Sequence, residues 1–113
     1  MTFEWKDYIR IAEDLLNRGD EAYFRSSISR AYYGTFGPAR NKKGYKEYAG
    51  ADVHWKVINE YNNQSEQDIG RTLDKLRRAR NDADYNEEKL IKKDLAERTI
   101  LIAKKVLTSI ENL

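Results

Sequence analysis

The sequence predicts an all-α fold: an up-and-down antiparallel helical bundle of four to five helices with a kinked second helix, forming one domain over residues 1–113. Three observations predict it. Apolar side chains return every three to four residues in successive stretches, which is the period of one helix face. No stretch of useful length alternates apolar and polar residues as a half-buried strand does. One proline and six glycines leave little room for the turns that a sheet requires.

Composition narrows the function classes. Hydrophobic residues make up 40% and charged residues 35%, a globular balance with a heavily charged surface rather than a disordered one. The length suits one modest core. The absence of cysteine excludes disulfides, thiol catalysis and cysteine-type zinc sites, and a single histidine excludes a His-based metal cluster. Neither metal nor cofactor is expected. No apolar run is long enough to span a bilayer, and residue 1 opens no signal-peptide pattern. The expectation is a cytoplasmic chain without membrane association.

The net charge of +2 is unevenly spread. Residues 71–80 carry five basic side chains against one acid, and residues 40–46 carry four against none. Such patches attract phosphate. A charge run is also the ordinary make-up of a solvated helix face, and both readings stand.

Thr2 is placed to cap a first helix over 3–18, where Trp5, Tyr8, Ile9, Ala12, Leu15 and Leu16 share a face. Gly19 ends it, Asp20 caps the next, and the short link implies a helical hairpin. The second helix runs from Glu21 with Phe24, Ser27, Ile28, Ala31, Tyr32 and Thr35 inward and with Tyr23 and Arg30 flanking. Gly34, Gly37 and Pro38 predict a kink before it continues to about Lys43. Gly34-Thr35-Phe36-Gly37 matches a KH-type GXXG loop, but the strands of that fold are missing. Residues 44–52 form a loop, and Asp52 caps a short third helix over 53–61. There His54, Val57, Ile58 and Tyr61 share a face. His54 reads as a half-buried packing residue, or as a phosphate or partner contact. Residues 62–65 are turn-like, with Ser65 capping the fourth helix. Asn86 caps a fifth helix that runs to about Glu111, with Ile91, Leu95, Ile102, Val106 and Ile110 inward and Ala103 and Leu107 widening the stripe.

The anomaly lies in the fourth helix, IGRTLDKLRRARNDADYN over 69–86. Ile69, Leu73, Leu76 and Ala83 share one face, and at 100° per residue Arg80 and Asp84 fall within it. Arg71, Lys75, Arg78 and Asp82 fall on the solvent side, with Arg77 at the edge. An arginine on a core-facing stripe costs several kcal/mol unless it is paired and hydrogen-bonded. Asp84 is the nearest partner, but a cation followed by an anion is the weaker helical order, and an acid at a helix C-terminus opposes the macrodipole. Local helix stability does not account for Asp84. It is either half of a structural ion pair, within the fold or at a dimer interface, or part of a functional site. A calcium loop over 82–93 fails at its sixth and twelfth positions, which are Glu87 and Lys93.

Taken together and in order, SSISRAYYGTF (26–36), HWKVINEY (54–61) and the segment over 69–86 resemble the HEPN domain superfamily across nearly the whole chain. The Arg-x-x-Arg-Asn-x-Ala-Asp-Tyr run of Arg77, Arg80, Asn81, Ala83, Asp84 and Tyr85 carries most of the likeness, followed by Ser-Arg-Ala-Tyr-Tyr on the second helix. The resemblance implies a compact helical domain that forms a homodimer. Many such domains are metal-independent endoribonucleases of toxin–antitoxin or defence type, and some pair with a minimal nucleotidyltransferase. Others bind nucleotides or serve as non-catalytic scaffolds. The family's catalytic motif is Arg, four to six residues, then His. From Arg80 the histidine would fall at 85, 86 or 87, which are Tyr85, Asn86 and Glu87.

Three functions follow. The first is a non-catalytic HEPN-like module that binds RNA, nucleotide or a partner protein, with Arg77, Arg80 and Asn81 on phosphate and His54 and Arg30 as further contacts. The second is a ribonuclease of atypical motif, with Arg80 stabilising charge and Asp84, Tyr85 or His54 assisting. An Asp paired to an Arg is a poor proton carrier at neutral pH. The third is a structural dimerisation domain in which Arg80 and Asp84 are only a buried pair.

Overall fold

In the computed structural model residues 2–63 and 65–113 are described. Residue 1 and Gln64 of the expected 62–65 turn lie outside the described residues. Five helices follow in order: α1 (Asp7–Leu16), α2 (Glu21–Lys42), α3 (Val53–Asn63), α4 (Gln67–Tyr85) and α5 (Lys93–Glu111). The fold is the expected all-α bundle, and no strand occurs among the described residues. No described helix is long and apolar enough to cross a membrane.

The long α2 is the spine, packing against α1, α4 and α5, while α3 lies on α4. The main core gathers Tyr32, Phe36, Val57, Tyr61, Leu73, Leu76, Ile100 and Val106 among others. A smaller cluster forms at one end from Ile28, Ala83, Ile91 and Ala96. Buried hydroxyls are satisfied within the bundle: Ser27 donates to the Ala12 carbonyl at 2.7 Å and Tyr61 to the Ala39 carbonyl at 2.9 Å.

Asp20 caps α2 as expected, its carboxylate accepting from the Tyr23 amide. The helix runs through Pro38 to Lys42. The glycines ahead of that proline serve packing and form no GXXG loop. A Cβ on Gly34 would stand 2.9 Å from Ile9 Cδ1, and one on Gly37 would collide with the Trp5 indole. Their bare backbone lets α1 nest against α2.

Three helix starts differ from expectation, while α3 begins at Val53 as expected and runs on through Asn62 and Asn63 of the expected turn. The first helix begins at Asp7 rather than Phe3, with Lys6 and not Thr2 in front of it. Residues 4–8 close tight backbone turns, and Phe3, Trp5 and Tyr8 form an edge-to-face aromatic cluster with centroids 5.0–5.6 Å apart. Asp52, directly ahead of α3, accepts from the Tyr48 hydroxyl at 2.6 Å across the preceding loop, and its carbonyl accepts from the Lys56 amide. Ser65 adopts the left-handed conformation (φ 64°), so it turns the chain and Glu66 precedes α4.

Asn86 caps no helix start. It closes α4, and its side chain accepts from the Glu88 amide at 3.2 Å, the local turn that Asn makes as readily as a helix cap. The fifth helix therefore begins at Lys93. Ile91, expected on that helix, is buried in the loop, and counting from it misphased the first half of the stripe. The inner face is Ala96, Thr99, Ile100, Ala103, Val106, Leu107 and Ile110. Leu95 and Ile102 are only partly buried.

Candidate functional site

Arg80 does point inward. It sits one turn beyond Leu76 on the buried face of α4, and only 8% of its surface is exposed. Three tyrosine rings surround its guanidinium, with centroids 5.2 Å (Tyr33), 5.6 Å (Tyr32) and 5.7 Å (Tyr85) from Cζ. Ring faces stabilise a cation there but accept no strong hydrogen bond. Asp84 Oδ2 lies 3.8 Å from Nη1, an ion-pair distance too long for a hydrogen bond. Nε is buried with no acceptor among the described residues. Arg80 is thus a largely buried cation with one buried donor, Nε, left unused, an arrangement that costs about 1–3 kcal/mol.

Asp84 is not in the core, contrary to its helical phase. It lies at the edge of the stripe, beside the buried Ala83, where its side chain keeps 27% exposure and accepts from Ser29 Oγ at 3.2 Å. Tyr85 is 76% exposed. Both line a shallow depression with Glu21 and Arg25. Arg30 stands apart from the cluster, exposed and stacked over Tyr8 at 4.8 Å.

Arg77, Arg80, Asn81 and His54 do come together. They line a cleft of about 330 Å³ between α3 and α4, with Trp55 and Asp74. Arg77 reaches Asp74 at 3.0 Å, and Asp74 also holds Arg78 at 2.9 Å, so this carboxylate is fully engaged. Asp52, at the rim, accepts from the Tyr48 hydroxyl, which lowers its pKa below the usual carboxylate range. Both acids that face the cleft are thereby occupied.

His54 enters from the first turn of α3. Its ring stacks on Phe36 at 4.3 Å and on Tyr32 at 5.6 Å, and Nδ1 shares a 2.6 Å hydrogen bond with the Tyr32 hydroxyl. Burial, then the charges of Arg80 and Arg77, push its pKa down to about 4, so the ring is neutral at pH 7. Burial also raises the Tyr32 hydroxyl well above its ordinary pKa, against a smaller pull from Arg80. His54 is therefore both a packing residue with one satisfied nitrogen and part of the cleft wall.

Trp55, 65% exposed at the mouth of this cleft, was missed from the sequence, as were Tyr32 and Tyr33 around the guanidinium. The signal for Trp55 was its phase, 100° off the inner stripe of α3. A tryptophan on a polar face has no core to fill. Among the described residues, no three His, Cys, Asp or Glu side chains group to hold a metal ion. No known protein family, curated protein or solved structure matches the chain. The site is read from its own chemistry, which joins a hydrogen-bond-deficient guanidinium, a second arginine, a carboxamide and an indole face.

Proposed function

We propose that the chain is a non-catalytic HEPN-like module that binds RNA or a nucleotide in the α3–α4 cleft. The observation that carries this reading is the unsatisfied guanidinium of Arg80 beside the exposed Trp55. Phosphate oxygens are the acceptors that a guanidinium takes best, and an indole face takes any base. Arg77 and Asn81 add donors from the same helix. A second copy of the chain and a minimal nucleotidyltransferase are the partners that go with the HEPN resemblance.

The test is titration of the protein with a 5′-phosphorylated mononucleotide and a short RNA, followed by calorimetry. Binding that weakens as salt rises and is lost in Arg80→Met is expected. Salt-insensitive binding, or none, would remove the proposal.

One observation favours a second reading, that of a metal-independent ribonuclease. His54 shares the cleft with Arg80 although the motif on α4 has no histidine. Its depressed pKa makes it a weak base and leaves almost no imidazolium to act as an acid at pH 7, and Tyr32 occupies Nδ1. Mixed RNA is therefore expected to stay intact in the presence of a chelator. Cleavage that disappears in His54→Ala would reverse the order of the two readings. The purely structural reading draws no support from a 3.8 Å pair that leaves Nε without an acceptor.

A further inference from the structure

Trp55 is not the end of the cleft but a partition within a longer furrow. On its other side lies a second depression, lined by Asn59, Asn62, Arg71, Lys75 and Arg78. The two share Trp55, Ile58 and Asp74, so they adjoin along one side of the α3–α4 pair. We infer that this second depression is a further nucleotide subsite, and that the ligand is a single-stranded polynucleotide running across Trp55. The inference rests on the function proposed above.

Charge argues for a strand rather than a free nucleoside triphosphate. In the inner cleft Arg77 and Arg80 face Asp52 and Asp74, a near-neutral lining that opposes the several charges of a triphosphate more than the single charge of a phosphodiester. Beyond Trp55 the lining gains Arg71, Lys75 and Arg78, of which Arg71 pairs with Asp68 and Arg78 with the shared Asp74, so that Lys75 supplies the uncommitted positive charge. Lys75 is exposed and makes no ion pair among the described residues. A cationic track that rises away from a buried anchor follows a backbone of successive phosphates.

Length agrees. Arg71 and Arg80 are nine residues apart on one helix, about 14 Å at 1.5 Å per residue. That covers about four nucleotides at the 3.4 Å spacing of a stacked strand, and fewer in an extended one. The protruding indole disfavours the interior of a duplex, whose stacked bases have no free face to offer it. It suits an unpaired base stacked against the indole in either depression. Asn59 and Asn62 then stand beside the outer base as hydrogen-bond donors and acceptors.

The test is a length series: a 5′-mononucleotide, then two, four and eight nucleotides of RNA, the same series in DNA, and an eight-base-pair duplex. Each is titrated into wild type, Trp55→Ala and the double variant Arg71→Glu with Lys75→Glu. These three side chains are exposed, so thermal unfolding is expected to be unchanged. Affinity should climb at least tenfold between one and four nucleotides and then level. Trp55→Ala should lose about tenfold on the tetranucleotide. The double variant should flatten the length dependence and reduce the salt slope by about 0.7 for each phosphate it no longer neutralises. A steeper climb for RNA than for DNA would assign the strand to RNA, and equal climbs would leave the shared phosphodiester backbone as the ligand. A mononucleotide that binds as tightly as the tetranucleotide would overturn the second subsite and keep the first. Equal affinity for the duplex would also overturn it. No binding by any member would remove the proposed function itself.

Discussion

Arg25 and Arg80 both carry a guanidinium into the bundle from a long helix, and they are treated in opposite ways. Arg25, on α2, uses its donors fully. It bonds Glu21 Oε2 at 3.0 and 3.1 Å, the Asp82 and Ala83 carbonyls at 3.1 and 3.0 Å, and the Lys89 carbonyl. Those carbonyls belong to the last turn of α4 and the loop after it, where backbone acceptors are left over and a cation suits the helix dipole. Arg80, on α4, has rings on several sides, a distant carboxylate and an orphaned Nε. A cation that the fold satisfies is architecture. A cation that the fold encloses and leaves short of an acceptor is a candidate binding group, which is how the proposed function uses it.

The comparison breaks most visibly at Arg25. Arg25→Met should destabilise the protein by about 3 kcal/mol, lowering the thermal midpoint by about 10 °C, because the α4 carbonyls and Glu21 lose their partner together. A change under about 1 kcal/mol would mean that the clamp contributes little. Arg80→Met should cost less than about 1 kcal/mol, or even stabilise, since it removes a buried charge that the fold never paired well. A loss above about 2 kcal/mol in denaturant unfolding would make Arg80 a structural partner like Arg25.

The smallest effect concerns His54, whose pKa is held at about 4 against an ordinary 6.5 by burial and by the charges of Arg80 and Arg77. The unfolded chain takes up that proton first as pH falls. The stability linked to the neutral ring is thus complete above about pH 6.5 and is lost as pH drops toward 4. Thermal midpoints over that window should fall more steeply in wild type than in His54→Gln. Parallel profiles would acquit the imidazole, and a profile flattened by Arg80→Met would tie the two residues together.

The inward turn of Arg80 was legible because helical phase is a property of the chain alone, and Leu73, Leu76 and Ala83 fix it. The same count failed for Asp84, which lies at the edge of the stripe, where phase alone does not say whether a neighbouring helix covers the side chain. The meeting of Arg80 with His54 was not legible, because it depends on how α3 settles on α4, and twenty-five positions separate the two residues. Helix starts were the other weak point. Asp20 caps as its residue type predicts, while Thr2, Ser65 and Asn86 do not, although each is an equally good cap by chemistry. Around Asn86 the decision is tertiary: Glu21 accepts from the Ile91 amide at 3.1 Å and holds residues 86–92 out of the helix.

That last bond has a consequence for how the chain meets a protease. A protease must draw a segment extended into its own active site, and irregular backbone usually yields. The connection over 86–92 has exposed lysines at 89 and 92, yet Ile91 between them is plugged into the protein with its amide tethered to another helix. Cutting there first demands extraction of that plug, whereas Lys46 in the tyrosine loop is exposed in a single turn closed by the Tyr48 amide on the Tyr45 carbonyl. By its resistance to being pulled loose, the stretch after α4 belongs with the helices it joins.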